Sequence, residues 1–438
     1  MSVEIEECAL KPADRADKRI VLLTGSPLCH NPRAIKEADA LAAAGYQVEV
    51  LGAWLDDALA ARDREIVGAR CWAFTVVADL RCSTLAGRMR RAMVAARRRW
   101  HRTAFVRFGH AHPDLLGYTP APLLRAAMQR DAALYIAHSE QALWVGQRLL
   151  AQGRCVGVDM EDWFSEDLLP EARRARPIAM LHKLEAELLA GGSYRTCTSH
   201  AMSDALAAAY RVSPPAVVYN VFPWGDRKTL DHVAKDRPDR SRLSVHWFSQ
   251  TIGRGRGLED LFAALPLLSQ PIDLHLRGTL AGDWQEAFAR WRDADRRHRV
   301  FVHPLVSNDE LPSRIAEHDI GFAGEQTYCP SRNLTVTNKL FQYILSGLAV
   351  AASDTLGQRE IARQVPEAIQ LYPPSDARAL ADALNRWLVD APRLQRAKQA
   401  ALDAARERFC WEQEAEQVVR AADAAIFSTQ TTVALSTT

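Results

Sequence analysis

The chain has 438 residues, which at roughly 150 residues per domain is enough for two or three domains rather than one. Its formal net charge of +2 excludes the overall basic field that a dedicated nucleic-acid-binding protein would show. The eight cysteines are scattered without a CxxC pair, which favours reduced thiols over a disulfide framework or a zinc site.

The first elements predict a βαβ unit that follows a short extension. Residues 1–18 contain no apolar segment typical of a signal peptide, and no run approaches the ~20 apolar residues that cross a bilayer, so a cytoplasmic location is expected. Residues 19–25 predict a buried strand, and residues 47–51 predict the next one. Between them, Asn31 and Pro32 suit the N-cap and the first position of a helix.

The alternation of apolar runs and amphipathic segments continues to residue 222. Four more strands are expected, at residues 133–137, 155–158, 194–198 and 216–219. Residues 88–107 differ, because they hold eight arginines interleaved with methionine, tryptophan and phenylalanine. This composition is typical of a segment that binds an anionic membrane surface. A solvated helix face or a groove for an anionic acceptor would show the same composition.

The composition changes at Pro223. Residues 223–242 are rich in charged residues, proline and glycine, and predict a linker between domains. A second α/β series follows, with strands expected at residues 243–248, 273–277, 299–302, 319–322 and 348–352. Residues 376–424 are predicted to be mostly helical, and the Ser/Thr-rich tail 428–438 to be disordered.

This pattern predicts an α/β protein with two doubly wound, Rossmann-like domains that face each other across a cleft. The C-terminal helices are long enough to cross back to the first domain. Because open α/β sheets bind ligands beyond the carboxyl ends of their strands, the cleft is the expected site.

A helix in the second series begins with groups that suit an anion. A polar loop leads into it, and Lys339, Gln342 and Ser346 share one face. The free N–H groups and the dipole at a helix start favour an anion, and Lys339 adds a full charge. Gln342 can form hydrogen bonds with hydroxyls such as those of a ribose. An ordinary polar helix start with a solvated lysine would show the same residues.

A glycine-rich segment early in the second series provides another basic site. Gly253, Gly255 and Gly257 let the backbone approach a ligand closely, and Arg254 or Arg256 can bind phosphate oxygens in bidentate fashion. The glycine spacing does not match a GxGxxG fingerprint. Two cationic side chains and a helix start could together neutralise a diphosphate, so no divalent metal is expected.

These motifs resemble glycosyltransferase family 4, and the pair of α/β domains resembles the GT-B fold. In that family a GR…KG segment follows the first C-terminal strand and binds the donor diphosphate; Ser249-Gln250 hold the first position here, and Arg256-Gly257 the second. Family members also carry a segment like PNKLFEYLAAGLPV, which is TNKLFQYILSGLAV at residues 337–350. The resemblance spans residues 19–424 and implies transfer with retention of the anomeric configuration.

The chain departs from the family's E-x7-E pattern. The two glutamates would stand at positions 334 and 342, which hold Leu334 and Gln342. The side chain of Leu334 cannot form a hydrogen bond with a sugar hydroxyl. The contact with the donor sugar is therefore expected from backbone amides of residues 331–333 or from Glu325.

The resemblance extends to the first series. The segment that ends at His138-Ser139 resembles a family strand end whose histidine lies near the donor sugar. Asp159-Met160-Glu161 resembles the family's DxHE strand end, and Gly25-Ser26 matches its loop beneath the phosphates. Single-domain glycosyltransferases hold a metal with Asp-x-Asp in such a place, but the second α/β domain argues against a metal. An acceptor-side role is therefore expected for Asp159 and Glu161, with no metal and no other cofactor.

The sequence thus predicts a retaining, metal-independent glycosyltransferase with a nucleotide sugar as donor and a glycan or lipid-linked acceptor. The expected parts are an extension (1–18), an acceptor domain (19–222), a linker (223–242), a donor domain (243–405), a crossover helix (406–427) and a tail (428–438). The catalytic residues are expected to be His138, Arg256 and Lys339. Donor-binding residues are expected to be Gln250, Arg256, Arg277, Gly278, Val306, Glu325, Ser331, Arg332, Asn333, Lys339 and Gln342. Acceptor-side residues are expected to be Gly25, Ser26, Asn31, Asp159 and Glu161. A peripheral position on the inner face of an anionic membrane, through residues 88–108, fits this assignment; no nucleic-acid partner is expected.

Other functions stay open at this point. A sugar-nucleotide epimerase of the same fold would need no acceptor. A non-catalytic nucleotide-sugar-binding subunit of a polysaccharide-assembly complex would fit the presence of Leu334 and Gln342. A nicotinamide oxidoreductase would need a GxGxxG loop at Gly25 and an acidic residue for the ribose, and neither is convincing. The sugar, the base and the acceptor are not encoded in these motifs.

Overall fold

The computed structural model describes residues 12–436. Residues 1–11 of the predicted extension and residues 437–438 of the predicted tail lie outside the described part. The chain forms two compact units. The first contains the residues up to 198, residues 203–218 and those from 415 onward, and the second contains residues 199–202 and 219–414.

Seven parallel strands form the sheet of the first unit, in the order β3-β2-β1-β4-β5-β6-β7. They are β1 (Arg19–Leu23), β2 (Gln47–Trp54), β3 (Ala73–Asp79), β4 (Leu134–Ala137), β5 (Val156–Met160), β6 (Tyr194–Cys197) and β7 (Ala216–Val217). The helices are α1 (Pro12–Arg15), α2 (Pro32–Ala43), α3 (Asp57–Gly68), α4 (Leu85–Phe108), α5 (Pro120–Met128), α6 (Glu140–Leu150), α7 (Pro170–Arg173), α8 (Ile178–Gly191) and α9 (His200–Tyr210). The strand order reverses between β1 and β4, where doubly wound sheets bind ligands.

Six parallel strands form the sheet of the second unit, in the order β10-β9-β8-β11-β12-β13. They are β8 (Ser244–Ile252), β9 (Asp273–Leu280), β10 (Arg299–His303), β11 (Ile320–Ala323), β12 (Ala349–Ser353) and β13 (Ile369–Tyr372). The helices are α10 (Leu258–Ala264), α11 (Gln285–Ala294), α12 (Leu311–Ala316), α13 (Pro330–Leu334), α14 (Asn338–Ser346), α15 (Leu356–Gln364), α16 (Ala377–Leu388) and α17 (Ala391–Glu407). Here the order reverses between β8 and β11.

The apolar runs that predict strands form the two cores. Every residue of β4, β5, β11 and β12 is buried, as expected for parallel strands covered by helices on both faces. In the second unit, Trp247, Trp284 and Trp387 are almost fully buried within the main apolar cluster. The edge strands β3 and β13 were not predicted, and β3 has no fully buried residue.

The last helix joins the second unit to the first. This helix, α18 (Trp411–Ser436), belongs to the first unit from Ala415 onward. Asp423 accepts hydrogen bonds from Arg15 Nη2 (2.6 Å) and from the Tyr46 hydroxyl (2.5 Å), both in the first unit. The predicted return to the first domain is confirmed. Residues 428–436 are helical, whereas disorder was predicted, and no glycine or proline interrupts the helix.

Residues 223–242 do not form the predicted independent linker. They are part of the second unit, and their charged side chains pair with it. Asp231 Oδ2 lies 2.5 Å from Arg314 Nη2, and Arg237 Nη2 lies 2.7 Å from Asp319 Oδ2. The charge-rich composition therefore reflects ion pairs within this unit rather than a solvated spacer.

Candidate functional site

The first unit holds a buried cluster of charged side chains at the carboxyl ends of β4 and β5. His138 follows β4, Asp159 lies in β5, and Arg33 and Glu37 lie on α2. Arg33 donates from Nε and Nη2 to the two carboxylate oxygens of Asp159, at 2.5 and 2.8 Å. The His138 ring lies between two carboxylates, with Nε2 3.2 Å from Glu37 Oε2 and Nδ1 3.3 Å from Asp159 Oδ2. All four side chains are completely enclosed.

Mutual attraction keeps His138 and Asp159 charged despite their burial. Burial disfavours the His138 cation, but the charge of Glu37 and the contacts with Asp159 hold its pKa well above the usual value. Burial also opposes ionisation of Asp159, yet Arg33 and His138 hold its pKa far below the ordinary range. Burial and the charge of Asp159 raise the pKa of Glu37. The ring of His138 therefore lies as a cation between two carboxyl groups, and neither ring nitrogen has a hydrogen-bond partner among the described residues.

Two predicted acceptor-side carboxylates belong to this cluster or border it: Asp159 lies within it and Glu161 lies at its edge. Asp159 is enclosed, and it also accepts from Thr196 Oγ1 at 2.7 Å. Glu161 follows β5 and places Oε1 3.8 Å from His138 Nδ1, with about a quarter of its side chain exposed. Of the two, Glu161 is the residue that an acceptor can reach without a rearrangement of the cluster.

Two groups of three side chains in the described part of the chain bring possible metal-ligand atoms within 4.8 Å of one another. They are Glu37, His138 and Asp159, and His101, His112 and Asp114. In the first group Arg33 binds both oxygens of Asp159. In the second, Arg97 Nε lies 2.5 Å from Asp114 Oδ2. In each group a guanidinium already supplies the positive charge that a metal ion would bring.

The loop after β1 is held by hydrogen bonds to neighbouring side chains and within the loop itself. The carbonyl oxygen of Gly25 accepts from Thr119 Oγ1 and from Gln141 Nε2, each at 2.7 Å. Gly25 has a φ of +62°, and a Cβ there would lie 2.7 Å from Gln141 Nε2. Asn31 donates from Nδ2 to Ser26 Oγ at 2.9 Å and to the carbonyl oxygen of the next residue at 2.7 Å. The prediction that the Asn31 side chain caps α2 is therefore wrong, because that amide holds the loop together instead.

In the second unit, predicted donor-binding residues meet around a buried ion pair. Lys339 at the start of α14 donates to Glu325 Oε1 at 3.0 Å, and its Nζ lies 5.8 Å from the centre of a Trp247 ring. Arg332 Nη1 lies 3.9 Å from the other oxygen of Glu325. The Glu325 N–H donates to Ser353 Oγ at 2.8 Å. Burial opposes ionisation of Glu325, but Lys339 and Arg332 lower its pKa below the usual value, so the carboxylate stays charged.

Two further polar atoms on this face of α14 are buried without a hydrogen-bond partner among the described residues. They are Gln342 Oε1 and Ser346 Oγ. Gln342 lies three residues after Lys339 and Ser346 four residues after Gln342, so the three side chains stack along the helix. An unpartnered buried polar atom costs about 1–3 kcal/mol. Such atoms are expected where a bound ligand completes the hydrogen bonding.

The short helix α13 contains the other predicted sugar contacts. Ser331 is fully buried, and Asn333 Oδ1 accepts from the N–H of Leu356 at 3.2 Å. The N–H of Asn333, one of the amides predicted to bind the sugar, donates to the carbonyl oxygen of Cys329 at 3.3 Å. Leu334 is buried, and its carbonyl oxygen accepts from Ser199 Oγ at 2.6 Å. Position 334 therefore serves packing in this chain.

The glycine-rich segment begins later than predicted, because β8 continues to Ile252 and Gln250 is an exposed strand residue. Gly257 has a φ of +75°, and a Cβ there would lie 2.9 Å from the backbone of Gly324. Arg254 and Arg256 lie in this loop and form no ion pair or side-chain hydrogen bond with any described residue. The loop thus presents two guanidinium groups without an ion-pair partner among the described residues, beside the close approach of Gly257 to Gly324.

Tyr328 connects this loop to the ion pair. Burial raises the pKa of its hydroxyl, and the charges of Arg332 and Arg256 oppose that shift. A Cβ at Gly255, the residue before Arg256, would lie 3.9 Å from Tyr328 Cε1, and Tyr328 is 40% exposed. The structure brings Arg256, Arg332, Glu325 and Lys339 into one region of the second unit.

The side chain of Arg277 is bound by other residues of the second unit. Its Nη1 donates to the carbonyl oxygen of Pro304 at 2.5 Å, and its Nη2 pairs with Asp236. Only 2% of the residue is exposed, and burial lowers its pKa. Gly278 leaves no room for a side chain, since a Cβ would lie 2.5 Å from the carbonyl oxygen of Ser249. Val306 is half-buried after β10, and a contact of its backbone with a base stays a prediction.

Sequence reasoning missed Arg33 and Glu37. An Arg and a Glu four residues apart on a helix are typical of an exposed pair, and the signal against that interpretation was their place beside the buried residues Ala34 and Ala38. Tyr328 gave no signal in the sequence.

Comparisons with known proteins agree with these observations. Residues 246–390, all within the second unit, match the family model described as "Glycosyl transferases group 1". A search of curated proteins finds no match. Among solved structures, Anabaena HepE in complex with UDP is 16% identical, with a TM-score of 0.64 over 92% of this chain and 98% of that one.

Two further solved structures are similar over a comparable length. Sucrose-phosphate synthase from Thermosynechococcus elongatus is 16% identical, with a TM-score of 0.65 over 91% of this chain and 97% of that one. A UDP-forming α,α-trehalose-phosphate synthase from Burkholderia xenovorans is 14% identical, with a TM-score of 0.60 over 92% of this chain and 98% of that one. The chain therefore has the GT-B fold, and its second unit carries a group 1 glycosyltransferase domain, which confirms the resemblance found in the sequence.

Proposed function

We propose that this protein is a retaining, metal-independent glycosyltransferase that moves a hexose from a nucleoside-diphosphate donor to a glycan or lipid-linked acceptor. The observation that carries the proposal is the set of charges around Lys339. Lys339 and Arg332 both face the carboxylate of Glu325, and the loop that carries Arg256 packs against Gly324, the residue before Glu325. The UDP complex of HepE supports UDP as the first nucleotide to test.

The cationic side chains of this region are proposed to bind the diphosphate without a metal ion. Each phosphoryl group of the donor brings one negative charge, and Arg256 and Lys339 are its proposed partners. Arg256 is free to bind phosphate oxygens in bidentate fashion. Lys339 is already held at the helix start by Glu325, so its charge needs no reorganisation when the leaving group forms.

The proposed reaction breaks the bond between C1 of the sugar and the diphosphate oxygen and forms a bond between C1 and the acceptor oxygen on the same face. The acceptor proton passes to the departing diphosphate oxygen. Arg256 and Lys339 stabilise the charge that develops on that oxygen. Retention follows from the family resemblance, and the ionised, ion-paired Glu325 is a poor nucleophile because Lys339 stabilises its charge.

His138 is proposed to orient the carboxyl end of β4 in the first unit, because its ring is held between Glu37 and Asp159. Its contact with the donor sugar stays a prediction. The acceptor-side role of Glu161 is supported by its partial exposure beside this rigid cluster.

An anionic membrane surface is proposed as the place of action, through residues 88–108. Among the described residues, no helix has the length and apolar character to cross a bilayer. Helix α4 has eight arginines, no acidic residue and one buried residue, Gly87. Its outward stripe is apolar, since Leu85, Met89, Met93 and Trp100 are each at least 60% exposed and lie on one face. Arginines that flank an apolar stripe are the arrangement of a helix that lies in a membrane interface.

Donor turnover tests the proposal. UDP-, GDP- and ADP-glucose are compared by thermal shift, and release of the nucleotide is then measured with the best donor. Lys339→Ala and Arg256→Ala should each reduce kcat by about 10²–10³. Arg290→Ala, at an exposed position of α11 in the same unit, is the matched control and should retain activity. Equal turnover of all three variants and the native protein would contradict the assignment.

Two controls address the finer claims. Turnover that is unchanged in a chelator supports metal independence, whereas activity that is lost and then restored by Mg²⁺ contradicts it. The anomer of the product, read by NMR, tests retention. Saturable nucleotide-sugar binding without any transfer would favour the second candidate, a non-catalytic binding subunit, which the packing role of Leu334 supports.

A further inference from the structure

A cavity of about 1200 Å³ lies in the first unit beside α4. Helix α4 forms one wall, and Asp114, Leu115 and Tyr118 form another. The third wall runs from Leu168 to Arg176. The function assigned above does not use this cavity, and it is large enough for more than a single small ion, since pockets for drug-sized ligands span roughly 300–1,000 Å³.

The cavity has an excess of positive charge. Five arginines line it: Arg98, Arg99, Arg102, Arg107 and Arg176. The acidic residue in its lining, Asp114, is already bound by Arg97 at 2.9 Å. Glu140 pairs with Arg176. Arg99 and Arg102 form no ion pair or side-chain hydrogen bond with any residue that the structure describes. Concave surfaces lined by one sign of charge concentrate ligands of the opposite sign.

Some of the arginines that line the cavity are held in place by other residues before any ligand binds. Arg98 donates from Nε to the carbonyl oxygen of Asp114 at 3.0 Å and stacks over the ring of Tyr118, 3.9 Å from its centre. Arg176 has a buried Nε without a partner among the described residues. Burial and then the charge of Arg98 lower the pKa of Arg176. The cationic groups therefore crowd one another, and a bound anion would relieve that repulsion.

The apolar parts of the cavity walls also suit the organic group that carries an anionic group. Val106, Leu115 and Leu168 add apolar surface between the arginines. Arginine is the side chain that binds phosphate oxygens in bidentate fashion, and two such groups stand unpaired one turn apart at Arg99 and Arg102.

We infer that this cavity binds the phosphate or diphosphate group of the acceptor. The inference rests on the proposed function for the identification of the ligand as the acceptor. The site is distinct from the donor site, because Arg256 and Lys339 belong to the second unit. The same phosphate chemistry could reach the cavity on a soluble phosphorylated glycan or as the head group of a lipid-linked one.

Binding of inorganic pyrophosphate to the full chain tests the inference. The titration is performed by calorimetry with UDP at saturation, so that the donor site is already filled. The native protein should bind pyrophosphate, and Arg99→Gln/Arg102→Gln should weaken that binding at least about tenfold, because it removes two charge-assisted hydrogen bonds to the anion. Arg88→Gln/Arg90→Gln removes the same charge from the same helix outside this cavity, and its affinity should stay within about twofold of the native value.

Two outcomes would overturn the inference: no pyrophosphate binding in the presence of UDP, or an equal loss of affinity in both double variants. The second would show that the general charge of α4, rather than the cavity, attracts the anion. UDP affinity is measured on every protein without pyrophosphate. A variant that keeps native UDP affinity but loses pyrophosphate binding shows that this site is separate from the donor site. If the native protein itself does not bind UDP, the proposed function alone fails.

Vesicles distinguish the two sources of phosphate. Flotation is measured with phosphatidylcholine vesicles and with vesicles that also contain phosphatidylglycerol. Competition between pyrophosphate and the anionic vesicles would assign the cavity to a lipid head group. Simultaneous binding of both would assign it to a soluble phosphorylated ligand. Vesicle binding by a protein that does not bind pyrophosphate would overturn the inference and leave α4 as a membrane contact only.

Discussion

Four histidines in the second unit form a stack that should make this unit sensitive to acid. They are His246 on β8, His275 on β9, His303 at the end of β10 and His318 before β11. The rings of His246 and His318 stack with centroids 4.5 Å apart, and those of His275 and His318 are equally close. His275 Nδ1 lies 2.9 Å from His303 Nε2. A proton added to any of these rings places a charge among close neighbours with no room for water.

The direction of the pH dependence follows from burial. Burial, together with the charge of His303 and against the charge of Asp273, lowers the pKa of His275 to about 3. Burial also holds the pKa of His246 and of His318 well below the usual value. The unfolded chain therefore binds more protons than the folded one between the two pKa values. The contribution of these neutral rings to the free energy of unfolding is complete above pH ~6.5, the pKa of histidine in the unfolded chain. This contribution is lost as the pH falls below that value.

The size of the effect can be worked for His275. At pH ~5 the unfolded histidine is about 1.5 pH units below its pKa, while the folded one, with a pKa of about 3, is still neutral. One pKa unit corresponds to about 1.36 kcal/mol, so this ring alone lowers the free energy of unfolding by about 2 kcal/mol relative to neutral pH. A similar loss is expected for each ring that stays neutral in the fold.

The variant His246→Phe tests this reasoning. Neither ring nitrogen of His246 has a hydrogen-bond partner among the described residues, so phenylalanine keeps the stacking and removes the titration. Urea unfolding, followed by hydrogen exchange of β8 and β9, is compared at pH ~7 and pH ~5. Between pH ~7 and pH ~5, the free energy of unfolding of the variant should fall by about 2 kcal/mol less than that of the native protein. His232→Asn, at an exposed position of the same unit, is the control, and equal acid losses in His246→Phe and the native protein would refute the argument.

Three further substitutions test the packing around the candidate sites, each by urea unfolding. Arg33→Met leaves the enclosed carboxylate of Asp159 without its guanidinium and should cost about 3–5 kcal/mol; a cost below about 1 kcal/mol would mean that the cluster is hydrated. Gly257→Ala introduces a Cβ at φ +75° and 2.9 Å from the backbone of Gly324, and should cost about 1–3 kcal/mol. A neutral result would show that this loop relaxes freely. Asp423→Asn weakens the attachment of α18 and should cost about 1–2 kcal/mol, with faster hydrogen exchange after residue 415. Unchanged exchange there would assign the attachment to apolar packing.

The sequence predicted the central strands better than the edge strands, for a physical reason. Central parallel strands are buried on both faces, so β4, β5, β11 and β12 appear as continuous apolar runs. The edge strand β3 is only partly buried and has mixed composition. Its strand character comes from pairing with β2, which a single sequence does not show.

The contacts of the candidate sites were less predictable, because they join residues that are distant in sequence. Lys339 and the positive face of α14 were predicted from local pattern, but the partner Glu325 was offered only as a possible sugar contact. The pairing of Arg33 with Asp159 spans 126 residues, and only the order of strands in the sheet brings the two together. The Arg277 side chain shows the same difficulty: its partner Asp236 lies 41 residues away, in the segment predicted to be a linker, and contact of the backbone there with a base stays a prediction.

The loss of both family glutamates changes what the second unit can recognise in its donor. Leu334 is buried and Gln342 is neutral, so neither brings a charge to a sugar hydroxyl. The carboxylate of Glu325 is held by Lys339 and has little freedom to bind a sugar as well. The unpartnered oxygens of Gln342 and Ser346 can accept hydrogen bonds but are neutral. Since hydrogen bonds to charged groups contribute about twice as much as neutral ones, most of the donor affinity must come from the diphosphate and little from the sugar. We therefore expect selectivity among sugars with the same nucleotide to depend on fit rather than on charged contacts.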